Sequence, residues 1–413
     1  MSGQRLEEGL QGRGRAYNTG EHGDSSGKNR RSAQSHSILG DPHAFSLRIF
    51  ARVQKYDATA GSLIGLLKYG SGLPFNRLAG RQGHLAIPLP ASTQWDIVEA
   101  AAAQLTPAFE ELIRQAAQGD VVQNDDTTIK ILELLGQRPR GAGNEEAGAD
   151  ADERTGLFTS GVVALRDGHQ VALFFSGRRH AGENLAAVLK HRAAQRPPPI
   201  QMCDARSPNL PGELQTILAH CLAHARRQFV EVHDRFPEEC RHLLETLAVV
   251  YRNEAIARQR QLSPEARLQF HQEASQPTLQ ELHAWLNRQL DDRLVEPNSA
   301  LGGAIRYLLR HWERLTLFLR QAGAPLDNNV CERALKKAIL HRKNALFYKT
   351  QNGARVGDLF MSLIDTCQLN EVNPFDYLTE LQRHADAVAD HPELWMPWNY
   401  RTALTERAST PAT

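Results

Sequence analysis

Cysteine is scarce in this 413-residue chain. The five present, Cys203, Cys221, Cys240, Cys331 and Cys367, are widely spaced, odd in number and form no Cys-x-x-Cys pair. That excludes a disulfide framework and a four-cysteine zinc site, and it fits a reducing cytoplasm. Long hydrophobic runs are also missing: none approaches the ~20 residues of a membrane span, and no apolar signal core opens the chain, so no membrane partner is expected. Excess charge is absent too. A net charge of +1 means that any affinity for a polyanion must come from local patches and not from the field of the whole molecule. No internal repeat is present. At this length two or three folded units are expected.

Residues 1–44 are rich in Gly, Ser, Arg and His without apolar periodicity, which reads as a disordered, weakly basic tail. Residues 45–116 read as a small helical region, with short helices separated by Gly and Pro turns in the manner of a helix-turn-helix DNA-binding unit. The texture changes at Asp120. Val121–Asp125 reads as a short strand ending in acids, and Gly141–Arg154 as an acidic, Gly-rich loop. Gly156–Arg166 and Gln170–Gly177 read as two strands joined by an Asp167-Gly168 turn. Ile200–Asp204 is another short strand ending in an acid. From Pro211 to about Arg293 the pattern is helical, and helices resume at Leu301 and again at Asn328. This order predicts an α/β core interrupted by an all-α insertion.

Chemistry concentrates in Leu326–Lys349. Between Arg333 and Lys349 stand four lysines and two arginines and no acid, so Glu332 is either an ordinary ion-pair partner for Lys336 at i+4 or a metal ligand where phosphates come close. Asp125 and Asp204 stand at the expected C-terminal ends of strands. Three such carboxylates could hold two divalent cations about 3.5–4 Å apart, and hard ions such as Mg²⁺, with Mn²⁺ as a substitute, prefer oxygen ligands. Taken singly each acid has a plainer reading, as a turn, a cap or a helical ion pair.

The blocks Val121–Leu135, Pro199–Asp204, His220–Val230 and Leu326–Lys349 resemble the signature blocks of insertion sequence 66 family transposases. So do Tyr69–Arg77, Glu296–Gly302, Arg342-Lys343-Asn344 and Asn373–Leu378, and the likeness runs from about Lys55 to Tyr400. The resemblance implies a DDE-type transposase with a ribonuclease-H-like catalytic core interrupted by an all-α insertion. It implies Asp125, Asp204 and Glu332 as the catalytic, metal-binding triad. Asp126 competes for the first position, since alternation along the strand does not decide between them. Asp327 is the rival for the third position and reads more simply as a helix cap. The implied organisation is a core in two parts, 117–235 and 313–385, with a helical insertion at 236–312 and a C-terminal tail at 386–413.

Arg226, Arg227, Arg333, Lys336, Lys337, Arg342 and Lys343 are the candidate contacts to a DNA backbone, where cations set position and salt dependence. Cys221 and His224 form a Cys-x-x-His element. A zinc site would need two further ligands, and none is obviously placed, so a structural pair is the plainer reading. Phe347 and Tyr348 could stack on a frayed base, with core packing the better assignment for Phe347. Double-stranded DNA is the implied partner, both element ends and target, bound by a homo-oligomer with accessory proteins of the same element. Localisation is then cytoplasmic, at the nucleoid when bound to DNA. Longer family members begin with a coiled-coil-like helix and a cysteine-containing zinc module. With no cysteine before Cys203, that module is not expected here. A metal-dependent nuclease without strand transfer, and a non-catalytic DNA-binding remnant, are the competing functions.

Overall fold

In the computed structural model, which describes residues 56–135, 155–210, 212 and 215–409, the described residues form one compact unit. The expected N-terminal tail, the first part of the 45–116 helical region and the whole acidic loop lie outside the described residues.

The chain enters through α1 (Ala58–Gly65), which passes into a π-helical turn, Leu66–Gly70. Then come α2 (Phe75–His84) and the long α3 (Ala91–Ala117). Strand β1 (Val121–Thr128) is followed by β2 (Phe158–Arg166) and β3 (His169–Gly177). Asp167 and Gly168 both take positive φ, 49° and 82°, the conformation that a two-residue hairpin turn demands. Helix α4 (Ala181–Leu189), β4 (Ile200–Cys203), β5 (Ile217–His220) and α5 (Leu222–Val232) follow.

The five strands form one sheet in the order β3-β2-β1-β4-β5. β2 pairs antiparallel with both β1 and β3, whereas β4 joins β1, and β5 joins β4, in parallel. Strand β5 falls in a stretch expected to be helical. Three of its four residues are apolar, too few to separate a buried strand from a helix by periodicity, and pairing with β4 decides it.

Helices then dominate: α6 (Pro237–Gln259), α7 (Pro264–Ala274), α8 (Gln276–Asp291), α9 (Ala300–Arg310) and the short α10 (Trp312–Leu315). Their apolar faces, including Leu243, Leu247, Leu282, Leu286, Leu301 and Ile305, share a core with Met202 and Ala219 of the parallel strands. A second core joins β1–β3 to α1, α3 and three later helices, α11 (Asn329–Ala345), α12 (Gln351–Leu369) and α13 (Pro374–Arg383). The described part of the N-terminal helical region is therefore built into the sheet's own core. The segment expected as a C-terminal tail is not free either. It forms α14 (Ala385–Asp390) and α15 (Tyr400–Ser409), and Trp395, Met396 and Tyr400 are buried in that core because their large apolar surface finds partners there.

Helix α12 lies along the outer edge of β3. Asn370 Oδ1, Thr366 Oγ1, Ser362 Oγ and Asp358 Oδ2 accept the backbone N–H groups of Gln170, Ala172, Phe174 and Ser176 in turn. Two strand residues rise about 6.7 Å and four helical residues about 6 Å, so a polar side chain at every fourth helix position meets every second strand amide. Burial pushes the Asp358 carboxyl up, the two hydrogen bonds from Ser176 oppose it, and the balance leaves it at about 7.

Candidate active site

Strand alternation sorts the acids of β1. Gln123 faces α11, since its Oε1 accepts the Cys331 N–H at 3.3 Å. Asp125, two residues on, therefore faces α11 as well. Asp126 points the other way and its Oδ2 is 2.8 Å from His180 Nδ1, at the start of α4. The strand does not end at Asp125, as its sequence led us to expect, because β2 continues to pair with it as far as Thr128↔Phe158. What ends there is the pairing with β4, which covers only Val121–Gln123. The register Val121↔Ile200, carried four residues further, sets Asp204 opposite Asp125 just beyond the last residue of β4.

Glu332 is brought to the same place by the block that precedes it. Asn328, fully buried, donates from Nδ2 to the Asn124 carbonyl at 3.1 Å, and its own N–H donates to Cys221 Sγ at 3.2 Å. Asn328 occupies the N-cap position, and Asp327 accepts from Asn329 N and Nδ2 at 3.2 and 2.7 Å, closing the first turn. Opposite Asp125 on β2 stands Gly161. A Cβ there would lie 3.0 Å from Leu335 Cγ and 3.4 Å from Cys331 Sγ, so glycine is what lets α11 settle so close to the sheet.

Burial lifts the Asp125 carboxyl, the hydrogen bond from Asp126 N opposes it, and the charges of Asp204, Asp126 and Glu332 add to the rise, up to about 7. Asp204 is itself buried, accepting from Asn209 Nδ2 and Arg206 N and facing the Arg206 guanidinium at 3.3 Å. Glu332 does not pair with Lys336. It faces His224 Nδ1 at 3.5 Å and Arg227 at 3.8 Å. Glu332 Oε1 and His224 Nδ1 are both buried without a hydrogen-bond partner. Cys221 Sγ, a His224 ring nitrogen and a Glu332 oxygen lie within 4.8 Å of one another, a grouping that the sequence did not reveal because its third member is 108 residues downstream of His224.

Beside Glu332 an open groove of about 700 Å³ is lined by Arg226, Arg227, Tyr251, Arg252 and Asn329. Arg252 and Tyr251 carried no motif in the sequence, and only the packing of α6 against α5 places them here. Arg333, Lys336 and Lys343 are exposed on α11. Two of the other candidate cations are engaged inside the protein: Lys337 with Asp365 and Gln368 of α12, and Arg342 with Thr127 Oγ1 at 3.2 Å and Thr128 Oγ1 at 2.6 Å. Phe347 and Tyr348 exchange their expected roles. Tyr348 is buried and stacked on His341, because its backbone bridges Ile131, whereas Phe347 is exposed.

Among the described residues no helix is long and apolar enough to cross a membrane. The family model described as "Transposase IS66 family" matches residues 55–356. The uncharacterized protein y4hP of Sinorhizobium fredii is 29% identical over 358 residues, covering 81% of this chain and 61% of that protein. The uncharacterized protein y4jD of the same organism is 33% identical over 196 residues, covering 46% of this chain and 38% of that protein. The chain thus spans less than two thirds of the length of these curated relatives. No solved structure matches.

Proposed function

The chain belongs to the IS66 family of transposases, and we propose that it is a DDE-type enzyme that cleaves DNA at element ends and joins the freed 3′-hydroxyl to target DNA. The observation that carries this reading is the convergence of Asp204 and Glu332 on Asp125: the β1–β4 register sets Asp204 opposite it, the Gln123–Cys331 contact sets the start of α11 on the same face, and both charges add to the rise that burial of Asp125 begins. The mixed sheet, antiparallel over β3-β2-β1 and parallel over β1-β4-β5, supports a ribonuclease-H-like core, with residues 236–312 as the insertion between its two parts.

The donor set fits hard divalent cations. The three carboxylates converge, and the nearby guanidiniums of Arg206 and Arg227 are exposed, so a cation would offset the burial and the repulsion that together favour a proton on Asp125. Asp125, Asp204 and Glu332 would hold two Mg²⁺ ions, or Mn²⁺ in their place, and such a pair, when bound, polarises the attacking and leaving oxygens. The protein's own part is positional. Asn328 and the Asn124 carbonyl fix the start of α11 against β1, Gly161 sets their separation, and Asp126 is kept out of the site by His180. Arg226, Arg227 and Arg252 in the groove, with Arg333, Lys336 and Lys343 along α11, hold the phosphate backbone. Two DNA ends call for a homo-oligomer on the DNA, in the cytoplasm, with accessory proteins of the same element.

The test is strand cleavage and joining on duplexes taken from the DNA flanking its gene, with wild type and Asp204→Asn compared in Mg²⁺. Cleavage and joined products from wild type alone are expected. Equal activity of the two proteins refutes the triad, cleavage without joining assigns a nuclease, and Mg²⁺-indifferent binding without cleavage assigns a DNA-binding remnant.

A further inference from the structure

At the far end of α11, about 20 Å along the helix from Glu332, a pocket of about 860 Å³ opens between α2, α3 and the start of α12. Phe75, Trp95 and Phe347 are among its walls. Phe75 and Trp95 meet edge to face, with centroids 6.5 Å apart, and Phe347 is 41% exposed. It follows Leu346, held at a φ of 69°, a strained conformation for a leucine that persists only where the surroundings impose it.

Lys68 also lines the pocket, only 6% exposed. Its Nζ sits 2.8 Å from His341 Nε2 and 5.2 Å from the centre of the Phe75 ring. Burial, then the Lys68 charge, pushes His341 down to about 3, so the imidazole is neutral and accepts the ammonium's hydrogen bond. Burial lowers Lys68 to about 8 and leaves it mainly charged at neutral pH. Among the described residues no carboxylate pairs with it. A buried, uncompensated cation is costly, and this one stands on a π-helical turn, a distortion found mostly at functional sites.

One more feature of the pocket favours an anionic guest. The first turn of the 19-residue α12 faces the space, bringing the positive end of its dipole. Lys349 and Arg355 stand at the rim, and the two acids there, Glu99 and Glu133, are already held by Asn352 Nδ2 and Gln351 N.

We propose that this pocket receives one unpaired nucleotide of a DNA strand, its base among Phe75, Trp95 and Phe347 and its phosphate against Lys68 and the first turn of α12. Flat aromatic walls accept any base face, and the phosphate supplies the counter-charge to Lys68. The separation from Glu332 corresponds to roughly six nucleotide steps of duplex, so the captured nucleotide lies away from the cleaved bond. Arg342, tied to Thr127 and Thr128, and the Ile131–Tyr348 bridge connect the pocket wall to the strand that carries Asp125. The inference rests on the proposed function only for DNA as the substrate.

The test needs neither metal nor cleavage, so its outcome is separable from that of the triad. The full chain, in EDTA, is titrated with a duplex bearing a short single-stranded tail that contains 2-aminopurine, and with the same duplex blunt-ended. Wild type should quench the tail fluorescence and bind the tailed duplex about tenfold more tightly than the blunt one, the effect of one stacked base. Phe347→Ala, an exposed position, should lose the quenching and the preference while retaining the unfolding temperature. Lys68→Met should lose the preference as well. No preference in wild type, or a preference kept by Phe347→Ala, overturns the proposal. Displacement of the tail by free dAMP at the concentration of tailed duplex that saturates the protein also overturns it and assigns a free nucleotide instead.

Discussion

Replacing Asn328 by alanine separates positioning from stability. The side chain is fully buried and makes one hydrogen bond, Nδ2 to the Asn124 carbonyl at 3.1 Å. Losing that bond costs about 1–3 kcal/mol, partly offset because the buried and unpartnered Oδ1 is removed with it. Unfolding entropy of ~2.1 cal/mol/K per residue gives a unit of this size about 0.75 kcal/mol per kelvin, so Tm should fall by only about 1–4 °C. The protein would be folded at any ordinary assay temperature. Freed from Asn124, however, the start of α11 can shift, and a displacement of ~1 Å at a reacting centre costs on the order of a hundredfold in rate. We expect Asn328→Ala to cleave about a hundredfold more slowly than wild type and to need more Mg²⁺ for half-maximal rate. The assay is cleavage of a labelled duplex across a metal titration, beside differential scanning fluorimetry. A rate within threefold of wild type, or a loss unaccompanied by any change in metal requirement, would mean that Asn328 does not position Glu332.

Three further outcomes follow from the geometry. Asp125→Asn should abolish cleavage whereas Asp126→Asn, which alters the contact with His180 and removes a minor charge beside Asp125, should keep at least a tenth of the rate; the reverse order would move the first ligand to Asp126. Arg226→Ala with Arg227→Ala should weaken binding to all duplexes alike and make the slope of log affinity against log salt shallower by about two, and an unchanged slope would remove the groove from the DNA path. Burial disfavours the Glu254 carboxylate, but His271, Arg267 and Arg258 outweigh it and hold the group at about 2, below its usual value. A depressed pKa means that the unfolded chain binds the extra proton, so this cluster stabilises the fold above about pH 4.5 and the contribution is lost as pH falls towards 2. Glu254→Gln should lower Tm at pH 7 and narrow the Tm difference from wild type as the pH falls through that window, measured by scanning calorimetry; a constant difference would exclude the linkage.

Much of this architecture was legible because local chemistry and tertiary pairing agree. Asp167-Gly168 is a turn in any context, and Ile200–Asp204 reads as strand and acid whether or not β1 is known. Strand β5 was illegible because Ile217–His220 has no period of its own and is a strand only because β4 offers it hydrogen bonds. Asp125 and Asp126 could not be separated by pattern, since both are half-buried on a central strand whose two faces are each covered by a helix. Their partners, Gln123's face on one side and His180 on the other, are what separate them. The cations of α11 were all read as contacts to a DNA backbone, yet Lys337 and Arg342 are used to fasten that helix to α12 and β1. Trp395 and Tyr400 looked peripheral only because their partners on α3 and α13 are so distant in sequence.

The ladder of Asp358, Ser362, Thr366 and Asn370 along β3 has a bearing on solubility and on gene truncation. An unpaired strand edge is a template on which another chain can polymerise; here the amides of Gln170, Ala172, Phe174 and Ser176 are already occupied. All four of the occupying side chains lie beyond residue 356, where the match to the family ends. A copy cut there would keep every acid of the proposed triad and still present a bare edge, so its fate would be association with its own kind before catalysis entered the question.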